Sequence, residues 1–90
     1  MTAPVAMISG ASRGIGAAIA LALAGRGYRL SLGMRDPARL PENLAAHDPL
    51  VVAYDAEDPA AARSFVDATV ARFGRIDALI NNAGIAGPLE

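Results

Sequence analysis

Between Val5 and Leu23 the chain passes from a short apolar run, through a cluster of glycines, into a stretch with helical spacing. Val5-Ala6-Met7-Ile8 reads as a strand and Ser9-Gly10-Ala11-Ser12-Arg13-Gly14-Ile15-Gly16 as a tight turn. After Gly14, residues Ile15, Ala18, Ile19, Ala22 and Leu23 recur at the i, i+3, i+4, i+7, i+8 spacing of one helical stripe. Gly25 and Gly27 are placed to end that helix. A strand that turns so sharply into an amphipathic helix cannot pair with its successor as a hairpin. It opens a β-α unit, and such units bury themselves only in layered α/β sheets.

The same alternation continues along the chain. Further strands are predicted at Arg29 to Met34, Leu50 to Tyr54 and Ile76 to Ile80. The first, third and fourth runs are almost continuously apolar, which predicts burial on both faces. From Pro59 to Phe73 the residues Ala62, Phe65, Val66, Thr69, Val70 and Phe73 share one helical face, with Arg63, Asp67 and Arg72 pointing elsewhere. Asp58 is a good N-cap before Pro59 at the first helical position, and Gly74 closes the helix. Pro41 interrupts the Pro37 to Ala46 stretch, which is read as one short or broken helix.

Strands alternating with helices imply parallel pairing through right-handed crossovers. The expected sheet has the order 3-2-1-4, with the Ile15–Leu23 helix on one face and the Pro59–Phe73 helix on the other. Its last strand is left as an apolar edge, which is expected to recruit other chains or leave the fold loose.

At 90 residues the chain is one small domain at most. A chain this short buries only about two-thirds of its unfolded surface, so its stability is expected to be slim. With 53% hydrophobic and 19% charged residues it has the composition of a packed protein. The formal net charge of −1 speaks against a nucleic-acid or membrane-surface binder. There is no Cys, hence no disulfide framework or thiolate chemistry, and a single His, His47, sits in a polar connection. No metal site is expected. The apolar run from Pro4 to Ile8 is too short to span a bilayer or serve as a signal, so a cytoplasmic location is the default expectation.

The glycines have a chemical reading as well as a structural one. Gly10 permits the turn off the strand, Gly14 lets a diphosphate approach the backbone, and Gly16 lets the helix pack close to the sheet. The exposed N–H groups and positive end of the helix then face the anion. The spacing G-x-x-x-G-x-G is not that of a phosphate loop ending in Gly-Lys-Ser/Thr, and the chain has no Lys at all. An incomplete Rossmann-type, doubly wound parallel sheet follows. Its ligand belongs at the carboxyl ends of the strands, in the crevice between strands one and four where the order reverses.

Ser9 to Gly16 resembles the T-G-x-x-x-G-x-G motif of the short-chain dehydrogenases/reductases, with Ser in place of the leading Thr and the hydroxyl kept. Asn81-Asn82-Ala83-Gly84 is similar to that family's N-N-A-G element, and Asp55 to its adenine-contacting Asp. The resemblance spans the whole chain but only the opening part of a typical family member. Residues 1–90 are thus expected to form the N-terminal part of a single NAD(P)-binding domain, truncated before the catalytic half. The resemblance implies that Gly10, Ser12, Arg13, Gly14, Ile15 and Gly16 surround the phosphates and that Asp55 and the Ala56 backbone hold the adenine. It implies that Asn81, with Ala83 and Gly84, lies along the adenosine ribose and cofactor backbone. Asp55 is equally a turn residue, and Asn81, Asn82 and Gly84 suit the end of a strand.

The ends of the second strand bear on which nucleotide is taken. An acidic residue there would hold a ribose 2′-hydroxyl and an Arg a 2′-phosphate. Met34 stands where NAD-preferring relatives carry Asp, Arg35 follows, and Asp36 before Pro37 suits an N-cap. NADP(H) is therefore expected over NAD(H), with Arg13 as a second cationic arm. Tyr28 and Tyr54 lack a Lys four residues on and are expected in packing, as His47 is in a surface loop.

The resemblance implies a parent that is an oxidoreductase acting on a small carbonyl or alcohol substrate, and a homo-oligomer. The alternatives are a non-catalytic dinucleotide-binding module and an inactive fragment. The family's catalytic Ser and Tyr-x-x-x-Lys pair have no counterpart in these 90 residues, so no catalytic residue is assigned. General acid–base help is worth about 10²- to 10⁴-fold, and positioning up to about 7–11 kcal/mol. The 90 residues by themselves are expected to give no NADPH absorbance decay with a panel of ketones and aldehydes. Steady turnover that disappears in Gly14→Val would reveal catalytic groups not recognised in the sequence.

Overall fold

A computed structural model of the chain describes residues 3–82. Four strands, β1 (Val5–Ser9), β2 (Arg29–Met34), β3 (Leu50–Ala53) and β4 (Ala78–Asn81), form one parallel sheet in the order β3-β2-β1-β4. Helix α1 (Gly14–Gly25) joins β1 to β2. A 3-10 turn (Pro37–Arg39) and the short α2 (Glu42–Ala45) join β2 to β3, and α3 (Ala61–Phe73) joins β3 to β4. The expected strand order and connectivity are those found. Pro41 does break the middle helix, ending up as the residue that opens α2.

The pleat divides the core into two layers. Ala6 and Ile8 of β1 and Leu30, Leu32 and Met34 of β2 pack with Ala20 of α1 and Leu44 of α2. The alternate residues of β2 face α3. Ser31 meets Thr69, and Gly33 has room for no side chain because a Cβ there would lie 2.8 Å from the Phe65 ring. The two long helices therefore lie on opposite faces. β1 is buried along its whole length and β2 everywhere but Arg29, as two-sided strands should be.

Four details differ from the sequence expectations. In α1 the buried residues are Gly16 and Ala20, whereas Ile15, Ala18 and Ala22 of the expected stripe are exposed. The helix is apolar all round, so its periodicity cannot set its rotation, and the sheet selects the smallest side chains for closest approach. α3 starts at Ala61 because Asp58 caps the preceding turn, accepting from Ala60 N–H at 3.0 Å. Phe65 and Thr69 carry that helix's contact, leaving Ala62, Val66 and Val70 exposed. β3, expected to be buried on both faces, is half-buried, and β4, read both as a doubly buried run and as an apolar edge, alternates, with Leu79 66% exposed. Both are edge strands of the described sheet.

β4 also begins two residues later than its apolar run, because Asp77 is used to anchor it. The Val5 N–H donates to Asp77 Oδ2 at 2.7 Å, and the Asp77 N–H donates to the Val5 carbonyl at 2.8 Å. Arg75 grips the same carboxylate from Nε (2.8 Å) and Nη2 (2.7 Å). Arg75, and then the Val5 amide, hold the Asp77 carboxyl below the usual range. Among the described residues, no helix is long and apolar enough to cross a membrane.

The only buried side-chain pair linking α3 to β2 through polar atoms, among the described residues, is Ser31–Thr69. The Thr69 hydroxyl donates to the Phe65 carbonyl at 2.7 Å, so the Ser31 hydroxyl donates to Thr69 Oγ1 at 2.6 Å. In Thr69→Val the buried Ser31 hydroxyl loses its acceptor, at an expected cost of about 1–3 kcal/mol in urea unfolding. The double variant Ser31→Ala/Thr69→Val should recover most of that loss. A double variant no better than Thr69→Val alone would place the cost in packing rather than in the stranded hydroxyl.

Candidate functional site

The carboxyl ends of the four strands lie along one rim of the sheet, and the residues picked out in the sequence fall on that rim. At its centre the chain leaves β1 through Gly10 (φ 69°), whose N–H donates to the Gly33 carbonyl at 2.8 Å. It passes the extended Arg13 and enters α1 at Gly14 (φ 62°). Both angles lie in the left-handed region that a side chain disfavours. The N-terminus of α1 has no side-chain cap and no acidic residue in its first turn. Its first amides and positive dipole end are thus not neutralised by the protein, and the space beside Gly14 is open.

Gly16 fixes how closely this helix approaches the turn. A Cβ on it would fall inside van der Waals contact with the Gly10 carbonyl and 2.8 Å from Asn82 Nδ2. Asn82 Nδ2 in turn donates to the Gly10 carbonyl at 3.2 Å, and Ser9 Oγ donates to Asn81 Oδ1 at 3.1 Å. The end of β4 is therefore tied to the glycine turn by two side chains. Asn82 was read from the sequence as the end of a strand. Its carboxamide is the strut that holds Gly10 in place, beside the tie between neighbouring strands that the family resemblance implies for the Asn81 region. Ala83 and Gly84 lie outside the described residues.

On the other side of the turn, Arg35 follows β2 and Asp55 lies just beyond β3, the two joined by an exposed ion pair at 3.7 Å. Asp55 also accepts from the Glu57 N–H at 2.9 Å, the turn role open to it in the sequence. Ala56 is exposed within that turn. Asp36 caps the 3-10 turn as expected, accepting from Ala38 N–H at 3.0 Å. Two open hollows flank Arg35. One, of about 510 Å³, lies between the end of β3 and the start of α3 and is lined by Tyr54, Asp55, Asp58 and Ser64 among others. The other, of about 440 Å³, is lined by Ser12, Arg13, Arg35, Asp36 and Arg39. Arg39 was not picked out from sequence, because only the 3-10 turn brings it back beside Arg35.

Tyr54 packs on Phe65 with ring centroids 5.4 Å apart, and Tyr28 packs against the core, as expected. His47 is exposed. No group of three or more His, Cys, Asp or Glu side chains suited to a metal occurs among the described residues.

A parallel sheet in the order 3-2-1-4, with a glycine turn leading into an uncapped helix at the switch point, defines a Rossmann-type α/β domain. Residues 4–90 match the family model for short chain dehydrogenases, and the chain belongs to that family. It is 44% identical over 89 residues to the agropine synthesis reductase of Rhizobium rhizogenes, a match covering 97% of this chain and 21% of that protein. L-sorbose reductase from Gluconobacter frateurii, solved in complex with NADPH and L-sorbose, superposes with a TM-score of 0.81 and 34% identity. That match covers 90% of this chain and 33% of the reductase. The 3-ketoacyl-(acyl-carrier-protein) reductase of Brucella melitensis, solved with NADH, gives a TM-score of 0.78 and 30% identity over 87% of this chain and 33% of its own. The chain thus spans a fifth to a third of the length of these relatives.

The Gly16 contact is open to a direct test. Gly16→Ala must push α1 off the Gly10 turn, and overpacking of this kind costs about 1–3 kcal/mol or more. Gly25→Ala, at a site with nothing within 4 Å, is the control. It should be neutral or slightly stabilising in thermal melts, whereas Gly16→Ala should lower the Tm. Equal melting of the two would show that the close approach at Gly16 does not hold the helix.

Proposed function

We propose that this chain is the NAD(P)(H)-binding part of an oxidoreductase that moves a hydride between NADP(H) and a carbonyl or alcohol group of a small molecule. Residues 1–90 are, on this reading, the first part of one dinucleotide-binding domain. The observation that carries it is the uncapped start of α1, held against a glycine turn with open space before it. Anions are stabilised at such a terminus by free amides and the helix dipole.

The residues present fit a dinucleotide. The amides around Ser12, Arg13, Gly14 and Ile15 would take the diphosphate, with Gly10 and Gly16 shaping the turn. Ile15 would contribute its backbone, since its side chain is 67% exposed. Asp55 and the Ala56 amide would hold the adenine beside the larger hollow. Asn81, with Ala83 and Gly84, would border the ribose. Bound there, the nicotinamide supplies the hydride donor or acceptor. The chain's own part would be to fix and orient the adenosine and diphosphate.

NADP(H) is favoured over NAD(H) because Arg35 stands at the end of β2 while the Asp36 carboxylate is engaged by the Ala38 amide. The relatives support a dinucleotide in general, one being solved with NADPH and another with NADH. Proton transfer to substrate would fall to residues elsewhere in a longer, cytoplasmic and homo-oligomeric protein. Neither nucleic acid nor membrane enters this reading.

Arg35→Ala is the test of cofactor choice. Losing one charge-assisted hydrogen bond of about 1.5–3 kcal/mol should weaken NADPH binding by roughly 10- to 150-fold. Fluorescence titration should show a far smaller loss for NADH. Equal losses for the two nucleotides would mean that Arg35 does not read the 2′-phosphate.

A further inference from the structure

We infer that Arg39 is a third phosphate-binding side chain, acting with Arg13 and Arg35 to favour a nucleotide 2′-phosphate over a 2′-hydroxyl; this rests on the NADP(H) reading above. Arg39 lines the smaller hollow, of about 440 Å³, together with Ser12 and Arg13. It is there because the 3-10 turn Pro37–Arg39 repeats every three residues, so positions 36 and 39 stack on one edge of the turn.

Asp36 fixes both ends of this arrangement. Its Oδ1 accepts the Ala38 N–H at 3.0 Å, and its Oδ2 lies 3.9 Å from Arg39 Nε. That contact uses the Nε edge of Arg39, which keeps the terminal nitrogens for another ligand. The terminal pair is the end of a guanidinium that forks onto phosphate oxygens.

The charges match the same ligand. Three guanidiniums and one carboxylate line the hollow, a formal surplus of two positive charges. A phosphate monoester carries about −1.5 to −2 at neutral pH. Arg35 cannot supply this alone, since it stands between the two hollows and pairs with Asp55 at 3.7 Å. Arg13 and Arg39 line only the smaller hollow, while Arg35 is shared with the larger one.

The test is calorimetric titration of the full chain with adenosine 2′,5′-bisphosphate and with adenosine 5′-monophosphate. Wild type should prefer the bisphosphate. Arg39→Ala should raise its Kd about tenfold, while the Kd for the monophosphate changes by less than about twofold. Arg39→Lys, which keeps the charge without the fork, should fall between. The wild-type preference should also shrink as salt rises, since the contacts are exposed. Wild-type selectivity retained in Arg39→Ala but lost in Arg35→Ala would overturn this inference and leave the NADP(H) reading standing. A wild type with no preference for the bisphosphate would overturn both.

Discussion

The approach of α1 to the β1 turn sets the geometry of everything around the rim. With no side chain at Gly16, the helix start rests on the Gly10 carbonyl, and the Asn82 carboxamide reaches the same oxygen from β4. The Gly10 carbonyl is thus held by the strand on one side and shielded by the helix on the other. Moving α1 outward by a methyl group would displace the helix amides and open the β1–β4 crevice together. Close packing leaves little room for compensation, because an interior near crystal density transmits such a shift rather than absorbing it.

The architecture was legible in the sequence because its signals are local. Strand, glycine turn and helix follow one another in order, and the crossover rule converts that order into a sheet. What was not legible depended on rotation and depth. α1 is apolar on every side, so Ile15, Ala18 and Ala22 were as good a stripe as Gly16 and Ala20 until the sheet chose between them. The ends of α3 and β4 moved because Asp58 and Asp77 bond to backbone amides, and those bonds override an apolar run. At the site, the glycines and the residues at strand ends were legible from their placement. Arg39 was not assigned a role, since it acts through a turn whose phase no periodicity predicts, and the particular bond from Asn82 to the Gly10 carbonyl joins residues distant in sequence.

The rim is divided electrostatically. Arg13, Arg35 and Arg39 gather on the side of β2, whereas Asp55 and Asp58 line the hollow beside β3. The overall charge of −1 conceals this separation. A rim polarised in this way would orient a molecule with an anionic end and a neutral, hydrogen-bond-donating end before close contact. Guanidiniums suit the task because their planar forks match phosphate oxygens, which an ammonium point charge does not.

The contacts that complete the glycine turn come from far along the chain. Val5 to Asp77, Ser9 to Asn81 and Gly10 to Asn82 are each separated by 72 residues. Closing so long a loop carries an entropy cost before any of these bonds can form. During synthesis, then, β1, α1 and β2 can associate early, but the glycine turn acquires its final shape only after residue 82 has emerged. Until that moment the Gly10 carbonyl lacks its Asn82 partner and β1 lacks its second neighbour. The maturation of the glycine turn is therefore timed by the arrival of β4 rather than by the glycines themselves.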